Sequence, residues 1–297
     1  MMADPQTHMI AANGLRLETA VAGEGGARFA LLLHGFPESS FSWRFQIPML
    51  AGLGYEVWAP NLRGYSASSR PQGVEAYRVR HLVADVAGLV DAGAKGRPVT
   101  LIAHDWGALI AWNFAMQAAR PLERLVILNV PHPTVFREML PSREQLARSW
   151  YAFAFQLPLL PEWALGRNRA EAVGRAFHDM AIDKTNFGED VLAHYRNNAL
   201  RPGALTAMVN YYRAAFRFQR EVAPPRASAP LIQTPTLMIW GEEDSALSPS
   251  LTEPALYRGL VADFTLRRLP GVSHWVQQEA PAQVNALLAS WLPAQAR

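Results

Sequence analysis

Apolar residues recur along this chain in two rhythms. Short runs at Phe29 to Leu33, Tyr55 to Ala59, Val99 to Ala103, Leu125 to Asn129, Thr236 to Trp240 and Phe264 to Leu269 have the length and the aliphatic and aromatic content of strands. Phe29 to Leu33 and Leu125 to Leu128 are apolar nearly throughout rather than alternating, which is the mark of strands covered on both faces. Between the runs the spacing becomes helical. Val79 to Val90 places Val79, Leu82, Val83, Val86, Leu89 and Val90 three to four residues apart, and Ala108 to Ala119 follows a strand directly. Pro281 to Leu292 starts with proline and aligns Val284, Leu287, Leu288 and Trp291 on one face. Such alternation predicts an α/β architecture, a mostly parallel central sheet flanked by helices. Leu15 to Val21 adds a strand of an N-terminal hairpin.

The alternation stops between Pro131 and Pro235, where helical and aromatic segments replace strands. This predicts an all-helical insertion, returning to the sheet through the proline-rich Ala223 to Pro230, APPRASAP. The expected organisation is a first core segment over residues 1–132, a helical cap over 133–229 and a second core segment over 230–297.

Composition narrows the chemistry. Half of the 297 residues are hydrophobic and 18% are charged, an ordinary globular profile that excludes fibrous and disordered classes. The formal charge of +3 comes without a block of like charges, so no nucleic-acid partner is expected. No cysteine is present, which removes disulfides, thiol nucleophiles and thiolate metal sites; covalent chemistry then falls to Ser, Asp, Glu, Lys or His. Met1 to Gly14 lacks a basic region followed by an apolar run, so no secretory signal is expected. The longest apolar-aromatic stretch, Trp150 to Leu165, is interrupted by Gln156, Pro158, Pro161 and Glu162 and is too short to span a bilayer. The expectation is a cytoplasmic protein, monomeric or homodimeric.

Val99 to Trp112, VTLIAHDWGALIAW, reads as a buried strand, a tight turn and a helix, with Asp105 at the turn among small residues. That is the pattern of a nucleophile elbow, in which small neighbours let the chain turn sharply and expose one side chain above the sheet. Asp is equally a favoured helix cap, and this segment alone leaves both readings open. Downstream, Asp244 follows the strand ending at Trp240 and His274 follows the last strand. The chain order Asp105, Asp244, His274 matches the nucleophile, acid, histidine order of α/β-hydrolases, with Asp in place of Ser. The loop His34-Gly35-Phe36-Pro37 could supply one oxyanion N–H through Phe36, and Trp106 the other.

These motifs, with HGFPES, SWRFQIPML, APNLRGYSASSRP, NVPHPTVF, SWYAFAFQLPLLPE, NYYRA and GVSHWVQQEAP, make the chain resemble the α/β-hydrolase-fold epoxide hydrolases from about Gly14 to Leu292. The resemblance implies the α/β-hydrolase fold with a helical cap, and a cis peptide before Pro37. It further implies two cap tyrosines facing the nucleophile, which by position are Tyr151 and Tyr212, with Tyr211 and then Tyr195 as substitutes. The implied reaction opens an epoxide with Asp105 to give an aspartyl ester. His274, oriented by Asp244, then hydrolyses the ester to a vicinal diol. Epoxide and water are the only reactants, so neither an organic cofactor nor a metal is expected. Trp43, Phe114, Phe153, Phe155, Leu157 and Trp275 are candidates for a pocket suited to an apolar aliphatic or aryl epoxide.

Two alternatives share these residues. A haloalkane or haloacid dehalogenase uses the same Asp nucleophile and His-Asp pair, but that family commonly carries Asn at Phe36, or Arg at Trp106 for haloacids. A non-catalytic ligand-binding relative would need none of the reactive groups. Gly64 to Ser68 imitates a serine motif but follows PNLR rather than a strand, so Ser66 is read as structural. His104 and His132 are read as orienting or structural groups.

Overall fold

A computed structural model describes residues 5–293; Met1 to Asp4 and Ala294 to Arg297, which belong to the outer ends of the two expected core segments, lie outside it. Eight strands form one sheet in the order β1-β2-β4-β3-β5-β6-β7-β8. They are β1 (Gln6–Ala12), β2 (Leu15–Ala22), β3 (Arg28–Leu33), β4 (Tyr55–Pro60), β5 (Val99–His104), β6 (Arg124–Leu128), β7 (Thr236–Gly241) and β8 (Phe264–Leu269). The β1–β2 and β2–β4 pairs are antiparallel and all the others are parallel. β1 escaped the apolar rhythm because most of it is exposed or half-buried. Its signal is the Asn13-Gly14 turn, where both residues adopt positive φ, 48° and 72°.

The solid apolar strands have the reason expected of them. Leu31 and Leu33 enter one core and Ala30 and Leu32 the other, since successive side chains point to opposite faces. Helices α1 (Gln46–Gly52) and α12 (Pro281–Trp291) cover one face, and α2 (Val79–Gly93) and α3 (Trp106–Met116) cover the other. Trp43 and Phe114, proposed above for the pocket, are fully buried in these two cores, Trp43 beside α1 and Phe114 on α3. Their apolarity serves sheet packing, not ligand binding.

Between β6 and β7 the described elements are all helical: α4 (Pro133–Met139), α5 (Arg143–Arg148), α6 (Trp150–Ala154), α7 (Leu160–Met180), α8 (Glu189–Ala199), α9 (Ala204–Arg217), α10 (Gln219–Val222) and a 3-10 turn at Arg226–Ser228. Helix α7 is broken by non-helical backbone from Arg167 to Ala170. Beyond β8 comes the short helix α11 (Val276–Glu279).

Candidate active site

β5 ends at His104 and α3 begins at Trp106, so Asp105 alone makes the turn, at φ 47° and ψ −120°. A non-glycine residue in this region carries strain of order 1–3 kcal/mol, which the surrounding packing must hold. Two glycines make the packing possible. A Cβ on Gly107 would strike the Leu33 carbonyl, and one on Gly35 would strike the Asp105 side chain. The Asp105 carboxylate makes no capping bond to α3. Instead Oδ1 accepts a 2.6 Å hydrogen bond from the Phe36 N–H, and Oδ2 lies 3.6 Å from Nε2 of His274. The helix-cap reading of Asp105 therefore falls. The peptide between Phe36 and Pro37 is cis.

His274 stands in the loop between β8 and α11, its Nδ1 2.6 Å from Oδ2 of Asp244, which follows β7. Asp244 is fixed in turn: Oδ1 accepts from the N–H groups of Ala246 and Leu247, and Oδ2 accepts from Nδ2 of Asn129 at 2.8 Å. Asn129 Oδ1 also accepts from the Gly241 N–H, so one amide after β6 ties the end of β7 to the acid. In the sequence Asn129 shows only as a lone Asn at the exit of a buried strand, where φ is 46°.

Charge is balanced across this row. Burial alone would lower the His274 imidazole, yet Asp244 and Asp105 on either side push it up to about 10. Burial alone would raise both carboxyls, and the imidazole between them holds each below the usual carboxylate value, with the Phe36 N–H assisting at Asp105 and the Asn129 amide at Asp244. At neutral pH the row is carboxylate, imidazolium, carboxylate.

Behind it lies a second buried acid. Glu38 Oε2 accepts from the Gly35 N–H at 2.8 Å and lies 2.8 Å from Nδ1 of His104, while Oε1 accepts from Nε2 of Gln277 and of Gln278. Nε2 of His104 lies 2.9 Å from the His274 carbonyl oxygen. Burial would raise Glu38, but His104 and the Gly35 N–H keep it below its ordinary value. His104 thus joins the nucleophile loop to the histidine loop and does not face the cavity. His132 caps α4 through the Thr134 N–H, and burial pulls it down to about 3. The Ser66 hydroxyl donates to Asn198 Oδ1 in the interior.

A cavity of about 270 Å³ opens above Asp105 and His274. Trp106, Leu109, Val130, Phe136, Leu140 and Leu247 line it among others, and Tyr151 and Tyr212 face into it from α6 and α9. The two tyrosine rings stand 5.9 Å apart, and Tyr212 meets Trp106 edge-on at 4.9 Å. Burial raises both phenols, so they remain protonated across the neutral range. Tyr211 turns the other way, donating to the Arg63 carbonyl at 2.8 Å, and Tyr195 donates to Gln278. As first residue of α3, Trp106 has an N–H without a partner inside the helix.

Of the six proposed pocket residues only Phe153 lines this cavity. Besides Trp43 and Phe114, Phe155 is buried behind Tyr212 at 4.9 Å, Leu157 points to solvent, and Trp275 packs on Phe177 with its indole N–H on the Ala176 carbonyl. The apolar walls come instead from the β6 exit and α4, with Phe216 from α9.

A strand-elbow-helix site on a mostly parallel eight-stranded sheet defines a protein of the α/β-hydrolase class, and the family model for the alpha/beta hydrolase fold matches residues 31–281. Among curated relatives, the AB hydrolase superfamily protein YfhM of Bacillus subtilis is 35% identical over 94% of this chain and 95% of its own length. Epoxide hydrolase 3 of Xenopus tropicalis is 34% identical over 94% of this chain and 75% of its own. A Bacillus megaterium epoxide hydrolase, solved with an inhibitor, superposes with a TM-score of 0.84 at 29% identity, covering 96% of this chain and 99% of the other. The chain belongs to the α/β-hydrolase-fold family, among its epoxide hydrolases.

Proposed function

We propose that this protein hydrolyses apolar aliphatic or aryl epoxides to vicinal diols through an ester on Asp105. One observation carries the reading: an ionised carboxylate, pinned between the Phe36 N–H and His274, faces a cavity into which two protonated phenols, Tyr151 and Tyr212, also project. Residues 133–229 act in it as a cap that brings the phenols over the nucleophile.

An Asp105 oxygen attacks a ring carbon. The C–O bond of the ester forms, the ring C–O bond breaks, and the departing oxygen takes a proton from a tyrosine, a general-acid contribution of roughly a hundred- to ten-thousand-fold. The Asp105 charge is now gone, and with it one of the two carboxylates that keep His274 protonated. The imidazole sheds its proton, which restores the phenol, and becomes a base. Water held by His274 then attacks the ester carbonyl while His274 takes its proton, and the N–H groups of Phe36 and Trp106 stabilise the oxyanion. The diol leaves with the proton of the nascent carboxylic acid. Carboxylate and imidazolium are both regenerated, and no cofactor enters the balance.

A His274→Gln variant incubated with styrene oxide should gain the mass of one epoxide on the peptide containing Asp105 and release no diol. An active wild type with no such adduct in the variant would falsify the aspartyl-ester route. Bromide release from a bromoalkane panel, without diol from any epoxide, would transfer the site to dehalogenation.

A further inference from the structure

The surface beside the cavity mouth differs from the rest. Of the twelve large apolar side chains exposed among the described residues, six fall within Trp150 to Trp163, and a seventh is Phe216. Leu159 is 79% exposed, Trp150 68% and Trp163 58%. Concentrated apolar exposure of this kind marks an interaction surface. Trp150 and Phe153 stand three residues apart on α6 and share a side, Leu157 follows in the turn after it, and the Phe153 ring lies 6.1 Å from that of Phe216. The segment is held from beneath. Arg213 of α9 donates to the carbonyls of Phe155 and Leu157 and pairs with Glu162. The apolar tips are thus displayed by a fixed scaffold.

The fringe is cationic. Glu162 is occupied by Arg213, whereas the Arg167 guanidinium lies over Trp163 at 4.6 Å from the ring centroid. Arg167 has no carboxylate partner among the described residues, and neither do Arg169, two residues further along the chain, and Arg217, the chain neighbour of Phe216, while Glu144 and Glu171 are paired with Arg148 and Arg175. Phe153 and Phe216 also line the Asp105 cavity, so the inner wall and the outer rim are partly the same side chains. An occupant of this face therefore sits at the entrance. A protein partner would obstruct it, whereas a lipid layer dissolves apolar epoxides and can deliver them.

We propose that this face docks on an anionic lipid surface, with Trp150, Leu159 and Trp163 entering the headgroup layer and the arginines meeting lipid phosphates. No described helix is long and apolar enough to cross a membrane, so the contact lies on the bilayer instead of spanning it. The delivery of substrate, and with it part of the case for lipid over a protein partner, rests on the epoxide reading; the apolar exposure and the unpaired arginines do not.

The full chain should float with phosphatidylcholine vesicles containing phosphatidylglycerol, less with pure phosphatidylcholine, and less at high salt. Combining Trp150→Ser, Leu159→Ser and Trp163→Ser should weaken vesicle binding at least about ten-fold. Because none of the three lines the cavity, kcat/KM on styrene oxide dissolved in water should stay unchanged. Wild-type protein that ignores anionic vesicles, or a triple variant that binds them equally well, overturns the proposal. So does a wild-type dimer that the triple variant dissociates, which would make this a self-association face. Vesicle binding with no diol from any epoxide would defeat the functional reading and leave the docking standing.

Discussion

Tyr211 and Tyr212 are adjacent in sequence and point apart, Tyr212 into the cavity and Tyr211 onto the Arg63 carbonyl. Neighbours on a helix point about 100° apart, so only one of them can face the cavity. The sequence left the pair ambiguous because the rotation of α9 is set by tertiary contacts, here the Tyr211 hydroxyl on the Arg63 carbonyl and Arg213 on the α6 turn. The two predict different phenotypes. Tyr212→Phe should slow single-turnover ester formation roughly ten- to a hundred-fold while Tyr151 remains, and replacing both should approach the full general-acid loss. Tyr211→Phe should leave that rate alone and cost about 1 kcal/mol in denaturant unfolding, the worth of one lost hydrogen bond. Equal kinetic effects of the two single changes would mean that the assignment of the phenols is wrong. Asp105, Asp244 and His274 were legible because each follows a recognisable strand. The cavity walls were not, since apolarity says that a side chain is buried and not against what; Trp43 and Trp275 show the difference.

At the level of elements, the strands that read most clearly are those buried on both faces. β1 did not, because an edge strand with one partner needs little apolar content. What aligns the reactive groups is the set of loops at the ends of β3, β5, β6 and β7 and beyond β8, and there close backbone approach matters more than side-chain identity. Gly35 is the case nearest the nucleophile, its hydrogen lying where any Cβ would meet the Asp105 side chain. Gly35→Ala should destabilise the fold by about 1–3 kcal/mol through overpacking. It should also displace the Phe36 N–H, lowering kcat by up to roughly a hundred- to a thousand-fold, the effect of losing one oxyanion donor. Thermal melts and steady-state rates on the purified variant measure the two effects separately, and an unaltered kcat would remove Phe36 from the oxyanion site.

For the whole molecule, the buried histidines set a pH window. His274, raised from 6.5 to about 10, contributes stability that is complete below pH 6.5 and is lost as pH rises through 10. His34 and His132 are buried and shifted down, to about 4 and about 3, so the unfolded chain binds more protons than the native one as pH falls below 6.5. Asp105 and Asp244, lowered from 3.8, add an acid loss below that value. Stability should therefore peak near pH 6.5, and His274→Gln should flatten the alkaline limb of a melting-temperature profile. A wild-type profile still rising between pH 7 and 10 would contradict this balance. The Glu38 carboxylate has a further consequence for folding kinetics. Two of its four partners, Gln277 and Gln278, lie 239 and 240 residues away along the chain. Contacts this distant form only after the intervening chain has been ordered, because the closure entropy must be met first. A nascent chain that ends before α11 therefore leaves Glu38 with the Gly35 N–H and His104 alone, and the acid beneath the site gains its two amide donors only when α11 packs.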